Sequence, residues 1–155
     1  ILKKKIKFKK KINDFFVNKY YQPDIQLNIA KKLLTFANSS IDISDGLISD
    51  LEKMLNKQKY SYEIIENKIP ISKHLSELIK TTNFNKSKLI SNGDDYQVLF
   101  TAAGNKSRII DRTSKILGIK ITKIGKIIQG IKKSYIIDKK GKKIVLKNKG
   151  YIHQF

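Results

Sequence analysis

Apolar and polar residues alternate over Ile41, Asp42, Ile43 and Ser44, which is the period of a strand. From Leu47 the apolar spacing changes to Leu47, Leu51, Met54 and Leu55, the period of a helix. The pattern predicts a short strand running into a helix, with Asp42, Ser44, Asp45 and Gly46 at the junction. Asp42 and Ser44 share one side of the strand, because strand side chains repeat every second residue. Asp45 falls where the helix begins.

The same reading runs along the rest of the chain. Lys3 to Lys11 is a charge run with Ile6 and Phe8 interleaved, open to being a basic edge strand, a linker or a tail. Phe15, Phe16, Tyr20 and Tyr21 are expected to pack. Pro23-Asp24 suits a helix start, and Ile25, Ile29, Leu33 and Leu34 give a helix over 24–36 an apolar face. Tyr60 to Ile65 reads as a strand, and Ile69-Pro70-Ile71-Ser72 as a turn. Leu75, Leu78 and Ile79 mark a short helix on which His74 is expected to be exposed. Thr81 to Lys88 reads as a polar loop. Gln97 to Thr101 continues a Gly-containing acidic loop into an apolar strand. Residues 105–117 form a helical pattern with Gly118 as its stop. Ile119 to Ile128 reads as one or two strands around Gly125. A hairpin joins 135–137 to 144–146 through Asp138-Lys139-Lys140-Gly141.

Composition changes this picture little. With 155 residues the chain is long enough for one domain with a real core. It begins at Ile1, which suggests a fragment or a processed piece. No apolar run approaches bilayer length, and the basic N-terminus lacks the apolar run of a signal peptide. The absence of Cys excludes disulfides and thiolate metal sites and fits a reducing cytoplasm.

The net charge of +20 raises the question of nucleic acid. Yet of the 33 basic residues only Arg108 and Arg112 are Arg, the residue better suited to bidentate phosphate and base contacts. Abundant Lys, Ile and Asn point instead to a compositional bias over the whole surface. The charge is therefore read as a solvated face, with no specific nucleic-acid partner and no membrane partner.

Chemistry concentrates at two places. Asp42, Ser44 and Asp45 offer two carboxylates and a hydroxyl at a strand end, donors that suit a hard cation such as Mg²⁺. The same residues also suit a helix N-cap at Asp45 and a solvated strand end at Asp42. The second place is Asn92-Gly93-Asp94-Asp95-Tyr96. Its adjacent carboxylates repel and are easiest to hold beside a cation or donor, although a plain polar turn has the same composition.

The order Ile41-Asp42-Ile43-Ser44-Asp45-Gly46-Leu47, followed by Ser49-Asp50-Leu51, resembles the signature opening the C-terminal domain of thiamine-monophosphate kinase. That family lies in the superfamily of aminoimidazole-ribonucleotide synthetase and selenophosphate synthetase. The acidic loop resembles the family's Gly-Gly-Glu-Asp-Tyr-Glu-Leu at Gly93, Asp95 and Tyr96, with Asn92, Asp94 and Gln97 in place of Gly, Glu and Glu. The ending Lys149-Gly150-Tyr151-Ile152-His153-Gln154-Phe155 is similar to Lys-Gly-Tyr-Asp-His-Phe, with Ile152 replacing Asp and Gln154 added. The three segments occur in family order, and the likeness runs from about residue 20 to the end.

The resemblance implies an α/β fold: a mixed β-sheet with packed helices. It implies a domain over residues 23–155, with 1–22 as a basic segment at the join to a missing N-terminal ATP-binding domain. It implies ATP-dependent phosphorylation of thiamine monophosphate to thiamine diphosphate. Asp42 and Asp45 match Mg²⁺ ligands, Ser44 an ATP contact, Asp94 a substrate contact and Tyr151 a contact to the thiamine moiety. The full-length enzyme is expected to be a homodimer, and the fragment alone inactive. Rival readings are another synthetase of the superfamily and, from a different class, a basic nucleic-acid-binding module.

Overall fold

The computed structural model describes residues 9–55, 58–82, 86, 90–91, 93, 95–130 and 133–145. Among these, the helices are α1 (Lys10–Tyr21), α2 (Leu27–Leu33), α3 (Leu47–Leu55), α4 (Lys73–Thr82) and α5 (Ser107–Leu117). The strands are β1 (Ala37–Asp42), β2 (Tyr60–Ile65), β3 (Val98–Ala102), β4 (Gly125–Gln129), β5 (Tyr135–Ile137) and β6 (Lys143–Ile144). β1 and β3 form an antiparallel ladder in which Asp42 lies opposite Val98. The other four strands form a sheet in the order β4-β2-β5-β6. Its central pair, β2 and β5, is parallel, and the flanking pairs are antiparallel. The sheet is therefore mixed and the fold is α/β, as expected.

The main core forms where the apolar stripe of α3 meets this sheet. Leu47, Ile48 and Leu51 pack with Tyr62 and Ile64 of β2 and Ile136 of β5. A smaller core gathers Ile29, Leu33 and Phe36 under the β1–β3 ladder, with Phe36 and Phe100 rings 5.3 Å apart. α5 ends at Gly118, which adopts φ 63°, a left-handed conformation that glycine accepts without steric cost. The 138–141 turn closes when the Gly141 N–H donates to the Asp138 carbonyl at 3.0 Å.

Several expectations change. Residues 10–21 form a helix on which Ile12, Phe15 and Phe16 recur at helical spacing, and of the Lys3–Lys11 run only residues 9–11 lie within the described residues. His74 is half-buried rather than exposed, since Phe15 of α1 stacks on it with ring centroids 4.0 Å apart. α2 begins at Leu27, not at Pro23-Asp24. Asp24 instead pairs with Lys19 across the link from α1. Ile25 and Leu34, read as core, are exposed, as are Tyr20 and Tyr21. The extended stretch 119–124 is outside regular structure, although the Ile124 carbonyl accepts the Ile65 N–H at 2.8 Å.

The 81–88 loop is partly corrected. Thr81 and Thr82 complete α4, and Lys86 is buried. Its Nζ donates to the carbonyls of Glu66 and Ile69 at 2.8 and 2.9 Å, closing the turn that follows β2. Burial pushes its ammonium below the usual Lys range, with Glu66 opposing and Lys139 adding to the shift.

Candidate functional site

The strand β1 delivers Asp42 to the end of its ladder, and the chain turns through Ser44-Asp45-Gly46 into α3. Gly46 has φ 126°, a backbone state that side-chain-bearing residues rarely adopt. The turn is built on Asp50, the fourth residue of α3. Asp50 is fully buried, and its Oδ2 accepts the N–H groups of Ser44, Asp45 and Gly46 at 2.9, 2.9 and 3.2 Å. Its Oδ1 accepts from Lys53 Nζ at 2.8 Å. Burial alone would raise the Asp50 pKa. The Lys53 ammonium and the backbone N–H donors outweigh that and hold the carboxyl below the usual carboxylate range.

Asp50 was not singled out from the sequence as a functional residue, yet a signal was there. Leu47, Asp50, Leu51 and Met54 are spaced i, i+3, i+4 and i+7, so Asp50 is an acid on the buried stripe of an amphipathic helix. An acid there must find partners, because an unpaired buried carboxylate is strongly destabilising. The partners are the N–H groups of the turn that leads into the helix and the Lys53 ammonium one turn further along it.

The acidic loop lies directly against this turn. A Cβ on Gly93 would stand 1.9 Å from the Ser44 carbonyl oxygen, so no side chain fits between the two segments. The Ile43 N–H donates to the Gln97 carbonyl at 2.9 Å, and the Tyr96 N–H donates to the Ile43 carbonyl at 3.0 Å. The Leu47 N–H donates to the Ile90 carbonyl at 3.1 Å. Tyr96 is held at φ 50°, a left-handed conformation that costs a bulky residue about 1–3 kcal/mol. Nothing in its residue type announces this conformation.

Of the expected site residues, the structure places Asp42 at the end of β1 and Ser44 and Asp45 on the turn that follows it. Asp42 and Ser44 are exposed and Asp45 is half-buried. The Asp45 carboxylate forms an ion pair with Lys53, which thus bridges Asp45 and Asp50. Both acids raise the Lys53 pKa, Asp45 first. Asp94 and Tyr151 lie outside the described residues, as do the substituted positions Asn92 and Ile152. Gly93 and Asp95, on either side of Asp94, are described.

Two carboxylates and a hydroxyl within four residues of one another in the chain are the oxygen donors that a hard cation takes. They are an incomplete shell, since among the described residues no group of three or more His, Cys, Asp or Glu could hold a metal by itself. An open trough of about 1900 Å³ is lined by residues of both sheets and by Gly93, Asp95 and Gln97. It is larger and more open than the roughly 300–1,000 Å³ of a small-molecule pocket. No helix among the described residues is long and apolar enough to cross a membrane.

Comparison with known proteins matches this arrangement to one group. The thiamine-monophosphate kinase of Buchnera aphidicola subsp. Schizaphis graminum is 35% identical over 143 residues, which are 92% of this chain and 44% of that protein. This chain is a homologue of the thiamine-monophosphate kinases. The kinase of Buchnera aphidicola subsp. Acyrthosiphon pisum is 33% identical over 154 residues, 99% of this chain and 47% of that protein. A crystal structure of thiamine monophosphate kinase from Aquifex aeolicus superposes with a TM-score of 0.68 at 25% identity, covering 92% of this chain and 44% of that one. The AaThiL complex with AMPPCP and TMP superposes with a TM-score of 0.71 at 24% identity, covering 97% and 45%, and supports the shared fold. No protein-family model matches. The chain spans about half the length of the curated thiamine-monophosphate kinases that it matches.

Proposed function

We propose that this chain is the C-terminal domain of a thiamine-monophosphate kinase. The complete enzyme transfers the γ-phosphoryl group of ATP to thiamine monophosphate, giving thiamine diphosphate, in the cytoplasm. The observation that carries this reading is the contact of Gly93 with the Ser44 carbonyl, which sets two motif segments, far apart in sequence, backbone against backbone. Independent support comes from relatives that bear this activity in their names. The AaThiL complex binds AMPPCP and TMP, ligands consistent with ATP and the monophosphate as substrates here.

In this reading Asp42 and Asp45 hold Mg²⁺, and Ser44 contacts ATP. Asp94 and Tyr151 contact thiamine monophosphate. Bound Mg²⁺ supplies charge neutralisation on the phosphates, the main demand of phosphoryl transfer. The chain's own part is positioning. Asp50 fixes the Ser44–Gly46 backbone, so that Ser44 and Asp45 project from a rigid turn, and Asp42 stands at the end of β1 just before it. The attacking phosphate is already ionised at neutral pH, so no strong general base is needed. The aromatic ring of Tyr151 suits a cationic thiazolium.

Residues 23–155 form the domain, and 1–22 form the join to an N-terminal half that completes the nucleotide site and the homodimer. The turn provides only part of the oxygen shell that metal-bound triphosphate needs. The 155-residue chain alone is therefore expected to be inactive, and adding the N-terminal half, in cis or as a separate chain, is expected to restore activity. The test is thiamine diphosphate formation from ATP, Mg²⁺ and thiamine monophosphate by the chain with that half. In the complete enzyme Asp42→Asn and Asp45→Asn each lower turnover at least about 100-fold with unchanged circular dichroism. Near-normal rates in both variants would remove the metal assignment. Clear turnover by the chain alone would show that the nucleotide site is misplaced.

A further inference from the structure

Lys53 has no role in the function proposed above, yet it lies at the centre of the turn's charge. Its ammonium contacts the carboxylates of both Asp45 and Asp50. The two acids are not equivalent. Asp50 is fully buried, and its second oxygen is committed to three backbone N–H groups, so it cannot leave without breaking the turn. The Asp45 side chain is 21% exposed, and that of Lys53 is 49% exposed. Lys53 can therefore release Asp45 into water at little desolvation cost while keeping its contact with Asp50, because its stem is flexible and its head is already half-solvated.

We infer that Lys53 is a built-in competitor for the divalent cation at Asp45, an internal counter-ion that the metal must displace. The inference rests on the reading of Asp45 as a metal ligand. An oxygen ligand already paired with an ammonium binds a cation less tightly, since the ion pair is broken as the metal arrives. A cation that comes with a polyanionic phosphate partner brings the compensating charge, and the freed ammonium keeps Asp50. Lys53 thus weakens uptake of bare metal and favours uptake of metal together with phosphate.

The probe is Mn²⁺, followed by its free-ion paramagnetic resonance signal during titration of the chain together with the N-terminal half that completes the site. Lys53→Gln removes the charge and keeps a donor for Asp50, and Lys53→Met serves if the Gln variant does not fold. Mn²⁺ affinity is expected to rise about threefold to fivefold in either variant, the scale of an exposed ion pair. Lys53→Arg is expected to stay within about twofold of wild type. In an Asp45→Asn background, replacing Lys53 is expected to change nothing, which isolates the coupling to that pair. Equal affinity in wild type and Lys53→Gln would overturn the inference and leave the metal reading standing. A gain that persists without Asp45 would also overturn it. No Mn²⁺ uptake by any variant would remove the metal reading and the inference with it.

Discussion

The segment 39–55 and the segment 10–34 both carry apolar residues at helical spacing, yet the structure treats them in opposite ways. In the first, Ile48 and Leu51 are almost fully buried, and the one acid on the apolar stripe has four donors. In the second, Ile25, Leu27 and Leu34 are 71%, 73% and 89% exposed, and α1 buries no residue completely. An apolar period alone does not make a core. It needs a facing surface, which β2 and β5 offer to α3, whereas α2 finds only the few residues around Phe36. The candidate site sits on the tightly packed segment, where rigid support holds side chains in place.

Substitutions sharpen this contrast. Ile48→Ala is expected to lower unfolding free energy by about 3–4 kcal/mol in urea denaturation, the usual cost of a cavity in a packed core. Gly93→Ala is expected to cost about 2–3 kcal/mol, because its methyl would enter the space of the Ser44 carbonyl. Faster amide exchange at Tyr96 and Leu47 would report the displaced loop. A neutral outcome at either position would mean that the packed segment yields more readily than its contacts imply.

Asp50→Asn is expected to cost about 2 kcal/mol at pH 7, since charge-assisted hydrogen bonds are weakened together with the Lys53 pair. The sign of its pH dependence follows from the lowered pKa. The folded value lies below the ordinary 3.8, so ionised Asp50 contributes stability in full above that pH. The contribution is lost as pH falls through the folded value. The gap between wild type and Asp50→Asn is therefore expected to hold from pH 7 to about pH 4 and to narrow below it. A gap that closes above pH 5 would contradict the geometry.

The smallest effects belong to the exposed positions. Asp42→Asn and Leu34→Ala are each expected to change stability by less than about 0.5 kcal/mol, as exposed sites usually do. For Asp42 this matters, because it separates the expected loss of turnover in the complete enzyme from any loss of fold.

Local pattern alone determined much of this protein. The helix at 47–55, the strand at 60–65, the helix ending at Gly118 and the 138–141 hairpin depend on residue spacing and turn chemistry within a few positions. The candidate site was legible at Asp42, Ser44 and Asp45 for the same reason, and its family resemblance lay in the order of residue types. Tertiary structure decided what depends on partners distant in the chain. His74, read as exposed, is half-buried because Phe15 of α1 stacks on it. Lys86 needed the carbonyls of Glu66 and Ile69 to become a buried clasp. The contact of Gly93 with Ser44 exists because β1 and β3 pair across more than fifty residues. Asp50 shows where the two kinds of information meet. Its place on an apolar stripe is a local fact, and its donors at Ser44, Asp45, Gly46 and Lys53 lie within six residues, but only folding buries the carboxylate they hold.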